Sequence, residues 1–232
     1  MISELVGMLS TIILSIFILN YTSLHIFTRV SLLLVLLWVI QGITNEYEYR
    51  SSRTLSLSDI QPGTVINYSY VSLLNHSLNP IMLYRLLGNR YVHIALVVLD
   101  GGERKVLEWR FSPIKEFKEY ERNYTSYGKV YLVPLEYYMH TINRYRTIFR
   151  ITAPPHPVDI SFDQKVVEEI GNESFLSFCS YFCMRYLDRK GVLSGQIRLT
   201  AVNAVWGVPS YLPAYCVNHL KSKEWSENYY VL

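Results

Sequence analysis

The stretch that decides the fold is Tyr91–Arg110, which reads YVHIALVVLDGGERKVLEWR. Its first nine residues form a nearly continuous apolar run, as expected of a β-strand covered on both faces. Residues 100–102 (Asp-Gly-Gly) favour a tight turn, and Lys105–Arg110 follows as the return strand. The sequence therefore predicts an antiparallel hairpin in which His93 and Glu108 lie on neighbouring strands, within about two residues of being directly opposite.

Further strands and helices are predicted on both sides of this hairpin. Thr64–Tyr70 is rich in β-branched and aromatic residues and follows a Pro-Gly turn, and Lys129–Leu135 is a third strand that ends near its proline. A capping-box spacing that begins at Ser161 predicts a helix that runs to Ile170 and stops at Gly171. A second helix carries Cys179 and ends before Gly191, whereas residues 194–232 show no clear period. We therefore expect an α+β domain with helices packed on an antiparallel sheet.

The N-terminal part of the chain is strongly apolar. Between Leu5 and Thr44 the only side chains that carry charge near neutral pH are His25 and Arg29, and two apolar runs cover residues 5–19 and 30–43. A bilayer core requires about 20 mostly apolar residues for each helix. The two runs reach that length when flanking Tyr, Ser and Thr residues are included, so we expect a transmembrane hairpin.

A signal peptide followed by one anchor is the alternative interpretation, but a basic segment before the first run is missing and Glu4 stands there instead. The predicted organisation is a membrane anchor with two transmembrane segments at residues 1–45, a polar linker at 46–55 and a folded domain at 56–232. The expected location is a membrane, and Arg50 and Arg53 favour a folded domain on its cytosolic or virion-interior side.

Composition excludes several functional classes. The net charge is only +3 and the basic residues are scattered, so nucleic-acid binding has little support. Phosphate-binding loops, zinc-ligand spacings and serine-hydrolase elbows are absent from the sequence, and we expect neither a metal nor another cofactor. The three cysteines do not form a disulfide framework, which favours a reducing compartment.

Cys179 is the candidate nucleophile. A thiol attacks only as thiolate, and a helix N-terminus or an adjacent imidazole increases the thiolate fraction. Ser177 is a candidate N-cap, which would put Cys179 in the first turn of its helix. The alternative is that Cys179 and Cys183, one turn apart, are both small core residues. We assign Cys183 to the core, because the effect of the helix dipole fades beyond the first turn.

His93 is the candidate general base and Glu108 is the candidate acceptor that orients it. The base of a cysteine enzyme needs its second ring nitrogen held by an acceptor, which fixes the tautomer and the direction of the ring. Each residue also has an ordinary explanation, since a histidine in an apolar strand is often a core residue and a strand glutamate is often solvated.

These residues resemble the motifs of the circularly permuted papain-like hydrolases, the NlpC-related branch that includes YiiX-type proteins, lecithin:retinol acyltransferase relatives and proteins of large DNA viruses. Leu57–Ile66 resembles the opening Pro-Gly-Asp strand, Tyr91–Val97 the histidine strand and Phe178–Phe182 the cysteine helix, in the permuted order with histidine first. Thr64 replaces the usual Asp of the first motif, and Tyr181 replaces the usual Glu of the third.

The resemblance implies a permuted papain-like domain in which Cys179 is the nucleophile, His93 the base and Glu108 the third polar member. The implied function is a membrane-anchored cysteine hydrolase or acyltransferase that acts on an amide, ester or thioester bond of a peptide or lipid substrate. The alternative is a catalytically inactive structural or assembly protein, bound to the lipid bilayer and to protein partners, of the kind a large DNA virus would use.

Overall fold

The computed structural model describes isolated positions between residues 28 and 50, and then residues 51–54, 56–70, 93–110, 114–122, 128–144, 147–173, 179–193 and 213–231. The predicted membrane anchor at residues 1–45 falls mainly outside these residues. Within the described part of the chain, no helix is both long enough and apolar enough to span a bilayer.

The described residues form a mixed α+β fold around one large sheet. Its strands are β1 (Arg53–Thr54), β2 (Val65–Tyr70), β3 (His93–Asp100), β4 (Glu103–Arg110), β5 (Glu121–Arg122), β6 (Lys129–Pro134), β7 (Thr147–Ala153) and β8 (Ser226–Val231). The helices are α1 (Leu135–Asn143), α2 (Gln164–Glu173), α3 (Cys179–Arg189) and α4 (Pro213–Lys221), and short 3-10 helices cover Leu57–Asp59 and Lys115–Tyr120.

The strand order in the sheet is β1-β8-β7-β2-β3-β4-β6-β5. All neighbouring pairs are antiparallel except β1 and β8, which are parallel. The expectation of an α+β domain built on a mainly antiparallel sheet is confirmed. The sheet begins at Arg53, so the last part of the predicted linker contributes an edge strand.

The central hairpin has the predicted form. β3 and β4 pair from Leu96–Leu107 to Asp100–Glu103, and Gly101 and Gly102 form the turn with positive φ angles of 60° and 84°. Continuing this register places Glu108 opposite Ala95, two positions along the strand from His93. At its start β3 pairs with β2, through Tyr68 and His93.

Each face of the sheet is covered by helices, and successive residues of the central strands alternate between the two faces. On the face we call the α3 face, Ile94, Leu96 and Val98 pack with apolar residues of α2, α3 and α4. On the opposite face, the α1 face, Ala95 and Val97 pack with α1 and with Phe117. This two-sided burial explains the continuous apolar run of β3.

Two details of the helix predicted after Ser161 are wrong. The helix starts at Gln164, and Asp163 caps it, because its Oδ1 accepts the backbone N–H of Lys165 at 3.1 Å and that of Val166 at 3.3 Å. Ser161 instead forms a bridge with Leu99 of the sheet. The helix also continues past Gly171 to Glu173, because a glycine inside a helix costs only about 1 kcal/mol.

Trp109 fixes the end of β4 that carries the polar residues. Its ring packs on the α3 face, which leaves its neighbours Glu108 and Arg110 on the α1 face. A Cβ atom added to Gly128 would lie 2.3 Å from the Trp109 ring, well inside van der Waals contact. The indole therefore occupies the space that a side chain at residue 128 would need.

We predict that Gly128→Ala destabilises the domain by about 1–3 kcal/mol through overpacking against Trp109. The measurement is the free energy of unfolding in urea for the single variants Gly128→Ala and Trp109→Leu and for the double variant. The double variant should be less destabilised than the sum of the two single variants, because the smaller side chain leaves room for the new methyl group. Strict additivity would contradict the contact.

Candidate active site

The structure brings the three residues singled out in the sequence together at one end of the sheet. His93 is the first residue of β3, Cys179 is the first residue of α3, and Glu108 lies in β4. The ring Nε2 of His93 lies 2.8 Å from Oε2 of Glu108. The thiol of Cys179 is close enough to His93 for each group to shift the pKa of the other. A continuous polar chain therefore runs from sulfur to imidazole to carboxylate.

Cys179 packs with the α3 face and His93 lies on the α1 face, and the two residues meet at the end of the sheet. The pairing of β3 with β4 ends at Leu96 and Leu107, so His93 and Glu108 lie beyond the last paired residues of the two strands. The backbone of Ile94 in this stretch acts on the thiol of Cys179 and lowers its pKa. The sulfur therefore lies at the sheet end, beside the backbone that carries His93.

The contact with Glu108 fixes the state of the His93 ring. Because Nε2 donates its proton to the carboxylate, the nitrogen left to face the thiol is Nδ1. His93 is only 7% exposed and its ring lies 5.6 Å from the ring of Tyr68, centroid to centroid. Packing and hydrogen bonding together hold the imidazole in one orientation.

Glu108 is a fully buried carboxylate with three partners. Oε2 accepts from His93 and, at 2.9 Å, from the hydroxyl of Tyr138 on α1. Oε1 accepts from Nε of Arg110 at 2.6 Å. Burial alone would raise the pKa of Glu108, but the charge of Arg110 and the interactions with His93 outweigh it and lower that pKa from its usual 4.5 to about 2.

The pKa of His93 moves in the opposite direction. Burial and the nearby Arg110 charge lower it, but Cys179 and Glu108 together outweigh them, so that the pKa of His93 lies above its ordinary 6.5. A raised pKa means that the imidazolium form is favoured. His93 is therefore suited to hold a proton while the neighbouring sulfur carries negative charge.

The three cysteines differ sharply in ionisation. Burial raises the pKa of all three thiols, and for Cys183 and Cys216 the resulting pKa lies well above its ordinary range. For Cys179 the charge and hydrogen bond of His93, followed by the backbone of Ile94, outweigh burial and lower the pKa. Cys179 is also half-buried, whereas Cys183 and Cys216 are buried. Only Cys179 combines access with thiolate character.

Cys183 behaves as the core residue expected from its position. It is fully buried and its Sγ lies 3.8 Å from the carbonyl oxygen of Ile94. The predicted N-cap Ser177 lies outside the described residues. Within the described part of the chain, no group of three or more His, Cys, Asp or Glu residues could hold a metal ion.

Sequence reasoning missed three members of this site. Arg110 shares a strand face with Glu108 because the two are two residues apart, so its charge next to a predicted site residue was a usable signal. Tyr138 lies on α1, a helix that was not predicted, and Tyr68 lies in the predicted first strand without any local mark. Arg110 donates through Nη2 to the hydroxyl of Tyr68, which links β4 to β2.

No protein-family model, curated protein or solved structure matches this chain.

The lowered pKa of Glu108 predicts a specific loss of stability in acid. A carboxyl group with a depressed folded-state pKa stabilises the fold above its unfolded-state pKa, and this contribution is lost as the pH falls through the folded-state value. The window runs from 4.5 down to about 2. At about 1.4 kcal/mol for each pH unit, the loss is on the order of 3 kcal/mol.

Glu108→Gln cannot titrate, so the difference in unfolding free energy between wild type and this variant should shrink as the pH falls through that window. Denaturant unfolding of both proteins in steps of about 1 pH unit, from about pH 5 to about pH 2, measures this difference in unfolding free energy. Glu136→Gln, at an exposed position on α1, is the matched control. A difference that stays constant with pH would contradict an ionised Glu108 in the fold.

Proposed function

We propose that the chain is a membrane-anchored cysteine hydrolase or acyltransferase of the circularly permuted papain-like, NlpC-related type, acting on an amide, ester or thioester bond. The observation that supports this most is the connected set of Cys179, His93 and Glu108. The set has the features that a thiol nucleophile needs: a lowered thiol pKa, an imidazole held by a carboxylate, and positions at the end of a sheet.

The proposed reaction is acyl transfer in two steps. In the first, the Cys179 sulfur attacks the carbonyl carbon, and His93 passes the proton taken from the thiol to the leaving group as the bond to it breaks. In the second, His93 removes a proton from water or another acceptor, which attacks the carbonyl carbon of the thioester. The carbon–sulfur bond then breaks, the acyl product leaves, and His93 returns the proton to the Cys179 sulfur. Glu108 stays ionised throughout and holds His93 in place. The backbone N–H of Cys179, in the first turn of α3, is the candidate oxyanion donor.

The choice between peptide and lipid substrates stays open within this proposal. Attachment to a membrane would bring the site close to acyl lipids as well as to membrane proteins. The described helical positions Leu32, Val35, Val39 and Ile43 support attachment, because they repeat every three or four residues and expose apolar side chains. We propose that the folded domain lies on the cytosolic or virion-interior side.

A second candidate is a membrane-bound structural or assembly protein that keeps the fold without the activity. It is favoured by the near-complete burial of His93 and by a cavity of about 460 Å³ that is lined by other residues, including Pro154, Pro155 and Trp225. At one of the two motif departures, Tyr181 packs in the apolar core of the α3 face. Protein partners in an assembly belong to this candidate.

Alkylation of the full chain with iodoacetamide, followed by peptide mass spectrometry, discriminates the two candidates. At about pH 6.5 an ordinary thiol is only about 1% thiolate. We predict that Cys179 reacts first and that His93→Ala slows its labelling by up to about 100-fold, because the imidazolium that stabilises the thiolate is lost. His140→Ala, at an exposed position on α1, should have no effect.

Enzymatic turnover is tested separately with a panel of p-nitrophenyl esters, thioesters and peptide amides. The enzyme proposal requires release of the leaving group and an acyl adduct at Cys179, both lost in Cys179→Ala. Equal and slow labelling of all three cysteines, without an adduct, would support the assembly protein instead.

Membrane attachment predicts that the full chain stays with membranes after an alkaline carbonate wash, because hydrophobic anchoring survives the loss of peripheral electrostatic contacts. The amount of protein released into the wash should be more than about tenfold higher for a variant that lacks residues 1–45. Fractionation with antibody detection measures this. Release of the full chain into the wash would refute an integral anchor and leave the proposed chemistry untouched.

A further inference from the structure

Arg110 is a largely buried cation that contacts two residues of the site on two different strands. Its Nε donates to Glu108 Oε1, its Nη2 donates to Tyr68, and its guanidinium carbon lies 5.9 Å from the centre of the Tyr68 ring. The side chain is only 12% exposed. The ring of Tyr68 also contacts the ring of His93, and the Arg110 charge acts on the ionisation of both His93 and Cys179.

The two carboxylate oxygens of Glu108 bind different partners. Oε1 is bound by Arg110, whereas Oε2 is bound by His93 and Tyr138. Removing Arg110 therefore leaves both contacts of Oε2 in place. The electrostatic effect of the Arg110 charge can thus be measured separately from the effect of Arg110 on the position of Glu108.

We propose that Arg110 is a positioning residue whose fixed charge sets the pH range over which the Cys179–His93 pair works. This inference rests on the proposed function of that pair. A positive charge favours the thiolate over the thiol and disfavours the imidazolium relative to the neutral ring. Arg110 thus shifts ionisation of both groups to lower pH, while Glu108 and the sulfur itself counteract it at His93.

The sign of each effect follows from the groups that surround the pair. The titratable and charged groups that act on Cys179, His93, Glu108 or Arg110 include the following: Tyr68 on β2, His93 on β3, Glu108 and Arg110 on β4, Tyr131 on β6, Tyr138 on α1, Cys179 and Cys183 on α3, and Cys216 on α4. Among these groups, Arg110 carries a permanent positive charge and the others do not. Neutralising it should raise the pKa of both Cys179 and His93.

The experiment follows alkylation of Cys179 in the full chain as a function of pH with two reagents. Neutral iodoacetamide reports formation of the thiolate at acidic pH. Anionic iodoacetate reports loss of the imidazolium at alkaline pH, because the reagent is attracted only while His93 is charged. The proteins are wild type, Arg110→Met and Arg110→Lys, the last of which keeps the charge.

The pH profile has an acidic limb, followed with iodoacetamide, and an alkaline limb, followed with iodoacetate. We expect both limbs to move to higher pH by about one pH unit in Arg110→Met. Both should stay near the wild-type values in Arg110→Lys. A purely structural role would loosen Glu108 and move the alkaline limb to lower pH, as Glu108→Gln does. An unshifted or downward-shifted alkaline limb in Arg110→Met would overturn the proposal.

Arg110→Met leaves a buried carboxylate without its counter-charge, so it is paired with a variant that avoids this. The double variant Glu108→Gln/Arg110→Met carries neither charge, and both its limbs should lie at higher pH than those of Glu108→Gln alone. Equal profiles for these two proteins would also overturn the proposal. If Cys179 of the wild type titrates like an ordinary thiol, the proposed function itself fails, which is a different outcome.

Discussion

The ionised carboxylate of Glu108 inside the protein is the interaction on which the rest of the site depends. A bare carboxylate in such a place would be protonated, because removing its hydration costs several kcal/mol. Arg110, His93 and Tyr138 replace the lost water with three donors, of which Arg110 carries a permanent charge, and they come from two strands and one helix. The charge of Glu108 therefore holds β3, β4 and α1 together.

The same carboxylate links stability to chemistry. Its charge raises the pKa of His93, and the imidazolium in turn lowers the pKa of Cys179. The arrangement resembles other sites where partly compensated charges are kept in a dry environment, which strengthens each electrostatic effect. Buried ion pairs often add little net stability. The arrangement at Glu108 is thus better explained by what it does to His93 and Cys179 than by a gain in folding free energy.

The fold positions these residues through three ordinary rules. Alternation along β4 puts Glu108 and Arg110 on the α1 face, with Trp109 anchored on the other. The β3–β4 pairing ends before it reaches His93. α3 brings its first residue to this end of the sheet, and its apolar side chains, from Tyr181 to Leu187, pack along the sheet. The geometry of the candidate site is therefore a consequence of packing, with its polar residues at one end of the sheet.

The sequence by itself determined the central hairpin and the location of the cysteine helix, and it indicated Cys179, His93 and Glu108 as candidates, because strand periodicity, turn residues and chemically reactive side chains are local signals. It could not determine α1, β7 or the C-terminal strand β8, whose residues lack a strong period and are held by pairing with distant strands. Only the tertiary structure decided that Arg110 and Tyr138 share the carboxylate and that the thiol meets the imidazole. Those contacts join residues up to 86 positions apart in the chain, and their geometry depends on sheet register and helix packing.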